Sequence, residues 1–149
     1  MKAITNIVVR RVCTEMDRFS SSQVSTEAGR FIRQQPHVVH FIDEFTDGFS
    51  RQSQQLGMYL AYWIWKVYSR GWRSRLPALT WEFCYQSLAR ERTNLGNYKL
   101  SRRFSQPVVQ DYLVSFLNEG SHLGNAERGS LLIILKSVAS AFEESAEKI

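Results

Sequence analysis

Proline and glycine are scarce, three and eight among 149 residues. A many-stranded sheet draws on both at its turns, so their scarcity argues against one. Convincing strand alternation is also missing, and "NIVVRRV" (6–12) comes nearest to it. Cysteine is limited to Cys13 and Cys84, far apart and in no motif. Neither a disulfide scaffold nor a cysteine-ligated zinc site is marked, although a bond between the two stays open. The longest apolar run, "LGMYLAYWIW" (56–65), is about half of the ~20 residues that cross a bilayer. The start, "MKAITNIVVRRVCTEM", has only a short apolar stretch, broken by Arg10 and Arg11, and does not read as a signal peptide. These absences suggest a soluble cytoplasmic chain with no membrane span.

Chemical motifs are missing too. There is no glycine-rich phosphate loop and no nucleophile elbow. Asp43/Glu44 and Glu143/Glu144 are adjacent pairs, so their carboxylates diverge around a helix, whereas acid–base catalysis needs convergent groups. Cys84, in "WEFCYQS", reads as a small core residue. Catalysis therefore has no residue to name, and no cofactor is implied.

What is present is helical periodicity. Residues 2–19 carry Ile4, Ile7, Val12, Met16 and Phe19 at spacings near three and four. "SSSQVS" (20–25) reads as a connector, with Ser25 or Thr26 capping a short helix through Phe31 and Ile32. Pro36 opens the next helix, where its missing N–H costs nothing. Asp47-Gly48 ends that helix, and Ser50 caps another that is apolar almost all round after Leu56. Pro77 is expected to open a helix through 93, and Pro107 another. Gly120 separates the latter from a last long helix near 125–147. The reading is a single all-α domain, a bundle of about six or seven helices.

Two segments echo each other. "QPHVVHFIDEF" (35–45) aligns with "QPVVQDYLVSF" (106–116): Gln-Pro matches Gln-Pro, Val38 matches Val109, and Phe45 matches Phe116. After one inserted residue, Gly48 falls on Gly120 and Gly57 on Gly129. This pattern predicts two pseudo-repeated helical hairpins, near 36–69 and 107–147, whose long apolar helices cover each other. Gly57 and Gly129 are either points of close approach or simply first-turn residues.

Three surfaces could carry function. His37, His40 and Glu44 share one helical face at metal-ligand spacing, but the second copy has Val108, Asp111 and Ser115 there. Segment 63–77, "WIWKVYSRGWRSRLP", interleaves aromatics with cations; from 66 to 103 the chain carries nine Lys/Arg against two Glu. Lys66, Arg70, Trp72, Arg73 and Arg75, joined by Arg102 and Arg103, would suit a nucleic acid. Aromatics make up 13% of the chain, and Tyr59, Tyr62, Trp63, Trp81 and Tyr85 could hold a partner chain. The leading expectation is a non-catalytic interaction module that docks a protein or another copy of itself. A nucleic-acid binder is the alternative, and a metal- or ligand-binding bundle or enzyme around the histidines comes third.

Overall fold

Thr5 and Ser20 show how this chain starts its helices. Each places a side-chain oxygen on a backbone N–H three residues on, Val8 and Gln23, which satisfies a donor that the first turn leaves orphaned. The computed structural model describes residues 3–73, 76–93, 106–119 and 123–147. Within them are seven helices and no strand: α1 (Asn6–Asp17), α2 (Ser21–Gln34), α3 (Pro36–Phe45), α4 (Arg51–Gly71), α5 (Trp81–Thr93), α6 (Pro107–Asn118) and α7 (Asn125–Glu147). The expected all-α bundle is observed, and "NIVVRRV" is helical. Gly120, His122, Arg75, Lys99, Arg102 and Arg103 lie outside the described residues.

Several expected boundaries move, and the helix expected over 2–19 runs only Asn6–Asp17, its start set by the Thr5 cap. α2 starts at Ser21, because Ser20 and Gln23 form a reciprocal capping box, so "SSSQVS" is mostly helix rather than connector. α5 starts at Trp81 instead of Pro77. Thr80 is its cap, accepting from the Phe83 N–H at 3.2 Å, and 77–80 is a non-helical lead-in. Pro36 and Pro107 do open helices at the first turn.

The centre is α4 beside α7. Nine consecutive residues, Leu60 to Tyr68, are buried on α4, and seven, Ser137 to Glu143, on α7. The two helices run parallel. Glu127 in the first turn of α7 accepts the Ser50 N–H at 2.9 Å and bonds the Ser53 hydroxyl. A Cβ on Gly57 would lie 3.1 Å from Leu131 Cδ2. Further along, the Tyr68 ring is 6.3 Å from Phe142, and its hydroxyl donates to Glu143 at 2.7 Å. From Ser53–Glu127 through Gly57–Leu131 to Tyr68–Glu143 the offset stays at 74 or 75 positions, so the register holds over roughly 22 Å of helix.

Most of the remaining contacts form matched pairs, the contact of α3 with α7 being an exception. α1 packs on α4 and α5 on α7; α3 packs on α4 and α6 on α7; α1 meets α6, and α3 meets α5. The Gln-Pro starts follow the same exchange. The buried Gln35 side chain accepts the Leu79 N–H at 3.0 Å, in the lead-in to α5. Gln106 accepts the Ile4 N–H at 3.0 Å, in the lead-in to α1. Ile4 and Leu79 are both buried, each directly before a capping threonine. α2 alone has no counterpart among the described helices. It packs beside α3 and reaches α4 through Phe31, whose ring lies 5.7 Å from Tyr62 and 5.3 Å from Trp65. Cys13 and Cys84 are both free thiols.

Candidate partner-binding groove

α2 turns Phe31 inward, at 2% exposure, and leaves Val24 and Ile32 half exposed, each at 52%. Those outer residues form one wall of an apolar groove of about 490 Å³. Val24, Ala28, Phe31 and Ile32 line it from α2, and Gln55, Met58, Tyr59 and Tyr62 from α4. Met16 of α1 and Val39 and Asp43 of α3 close its sides, together with Phe19 just after α1. On each long wall the residues follow one helical stripe across about two turns. Tyr59 and Tyr62, expected at a partner surface, are both here. Tyr59 is 43% exposed, and its phenol is raised above its ordinary pKa by burial and then by the charge of Asp17.

Beneath the groove is a charged seam. Lys66 is buried, with 7% of its side chain exposed, and its Nζ lies 3.1 Å from Glu15 and 3.6 Å from Glu27. Glu27 also accepts the Tyr62 hydroxyl at 2.8 Å. Burial, then that hydrogen bond, push the Tyr62 phenol far up. The ammonium sits over Phe19 and Tyr62, 5.2 and 5.8 Å from the ring centroids. Thus α1, α2 and α4 are tied by one cation with two carboxylates, which offset part of the cost of burying its charge.

On the far side of Glu27 a polar cleft of about 470 Å³ is lined by Arg30, Trp65, Lys66, Arg70 and Arg73, among others. Arg70 pairs with Glu15 at 2.8 Å. Arg73 follows the cap of α4 with φ of 49°, an unusual left-handed value for a residue other than glycine. Trp72 stacks on Tyr68 at 4.6 Å and is half-buried. Of the residues expected to bind nucleic acid, Lys66, Arg70 and Arg73 come together in this cleft. Lys66 is already bracketed by acids, and Arg75, Arg102 and Arg103 fall outside the described residues.

The other expected sites separate. Trp63 is fully buried, stacked on Tyr112 at 5.4 Å, so it is core and not partner surface; it lies in the stretch of α4, Leu60 to Tyr68, that is buried throughout. Trp81 and Tyr85 stack at 4.9 Å on a different face, beside Phe45. His37 and His40 are exposed, and Glu44 accepts the Trp81 indole N–H at 3.0 Å. Among the described residues no three histidine, cysteine or acidic side chains are grouped to hold a metal ion. Of the groove residues, the sequence reading singled out only Tyr59 and Tyr62 and missed the rest, among them the whole α2 wall. The capping box at Ser20–Gln23 was the available signal, since it sets the true start of α2.

No described helix is long and apolar enough to cross a membrane. Compared with known proteins, the chain matches no family model, no curated protein and no solved structure.

Proposed function

We propose that this protein is a non-catalytic interaction module that docks a partner chain in the groove between α1, α2, α3 and α4. One observation carries the reading. Val24, Ile32 and Tyr59 are large apolar or aromatic residues left 43–52% exposed around a single apolar cavity. Scattered exposed apolar residues are ordinary, but contiguous ones mark binding surfaces. Both methionines beyond Met1, Met16 and Met58, also line that cavity. The thioether chain is flexible and polarizable and adapts to a partner's side chains.

The matched contacts support a second element of the proposal: an internal duplication of a three-helix unit, α1-α3-α4 and α5-α6-α7. In that view α2 is an addition to the first unit, and the groove exists because α2 stands out from the paired core. A nucleic-acid reading is supported by the arginine cleft beside Trp65. It ranks second because the innermost cation there is satisfied by two glutamates.

The test is the double substitution Val24→Lys with Ile32→Lys. Both residues are half exposed, so the unfolding free energy should change by no more than about 1 kcal/mol for the pair, while retention of a partner on the immobilised protein is lost. A loss of several kcal/mol, or unchanged retention, would refute the docking role.

A further inference from the structure

The groove has the shape and the charge of a receptor for one kind of element. Its two long walls are stripes at helical spacing on α2 and α4, so the space between them runs alongside two helices, where a third helix would lie. Among the described residues there is no strand, and so no sheet edge that could recruit an extended peptide. The chain as a whole carries a net charge of +5, yet the two side chains lining the groove that are charged at neutral pH are both acidic, Glu27 and Asp43. Asp17 adds a third carboxylate next to Tyr59. Glu27 is engaged by Lys66 and Tyr62. Asp17 and Asp43 are exposed and have no ion-pair partner among the described residues.

Resting on the docking role proposed above, we infer that the partner presents an amphipathic helix with an apolar ridge flanked by lysine or arginine. The ridge enters between α2 and α4, against Met58, Tyr59 and Phe31. The flanking cations meet Asp43 in the groove lining and Asp17 near Tyr59. Two adaptable methionines suit a receptor that repacks around such a ridge, and the unpaired carboxylates set its orientation and exclude acidic helices.

The experiment titrates the whole chain with two synthetic peptides of about 15 residues, long enough to hold a helix. Both carry the same leucine ridge at i, i+3, i+4 and i+7. One is flanked by lysines and the other by glutamates. Amide chemical shifts locate the binding site, and calorimetry measures the affinity. The lysine peptide should shift Val24, Ala28, Met58 and Tyr59, and should bind more weakly as salt rises. Asp43→Lys should weaken it roughly fivefold and strengthen the glutamate peptide. Ala28→Arg, at an exposed position, should block both peptides while leaving the circular dichroism unchanged. Equal binding of both peptides in the groove would overturn the basic partner and leave the docking role standing. Binding of neither, or binding that Ala28→Arg does not touch, would overturn both.

Discussion

At the scale of single residues, polar groups inside the bundle are held in one protonation state. Burial, followed by the charge of Glu143 and the hydrogen bond to it, drives the Tyr68 phenol well up. Tyr59 and Tyr62 are raised as well. Tyr112 is pushed up to about 12, first by its hydrogen bond with Cys13 and then by burial. Burial alone pushes the Cys84 thiol up to about 12. Folded pKa values above the unfolded ones, 10.0 for tyrosine and 9.0 for cysteine, mean that the native state binds more protons at alkaline pH. The stability these groups contribute is full below their unfolded values and falls as pH rises through them. Urea midpoints should therefore hold steady to about pH 9 and drop beyond about pH 10. A midpoint unchanged to about pH 11 would contradict the burial of these groups. The apolar character of α4 all round was legible in the sequence, yet Trp63 was still read as partner surface although it is core. The sequence could not foretell that Lys66 is satisfied inside, because Glu15 and Glu27 come from other helices.

At the scale of helices, the α4–α7 contact depends on a small residue on one side only. Gly57 sits where a Cβ would press on Leu131 at 3.1 Å, with Thr46 and Ile42 close behind. Gly129, its partner in the sequence echo, has nothing within 4 Å of its Cβ position. Gly57→Val should thus destabilise by about 1–3 kcal/mol through overpacking. Gly129→Ala should stabilise by roughly 0.5–1 kcal/mol, because it lowers the entropy of the unfolded chain. Denaturant unfolding measures both, and equal effects at the two glycines would contradict this packing. The alignment treated the glycines alike, since sequence spacing gives their register and not their facing. Helix boundaries were legible where proline or a lone serine marks them, as at Pro36, Ser50 and Pro107. They were not at α2, where the run of three serines from Ser20 hides which one caps, nor at Pro77, where the cap is Thr80.

At the scale of the whole molecule, six helices pair by exchange and one stands apart. The Gln-Pro echo suggested two hairpins, near 36–69 and 107–147, and gave no hint of the parts that α1 and α5 play; Gln35 reaches the lead-in to α5 and Gln106 the lead-in to α1. The groove was not legible, because it is made by α2 with parts of three other helices, and no stretch of sequence contains it. One measurement tests the proposed role most directly. A photoreactive benzoylphenylalanine is placed at Ala28, inside the groove, or at Glu82, exposed on α5, and irradiated in cells that make the protein. The docking account predicts a discrete adduct from position 28, attached to a basic helical segment of the partner, and none from position 82. Adducts from both positions alike, or from neither, would contradict it.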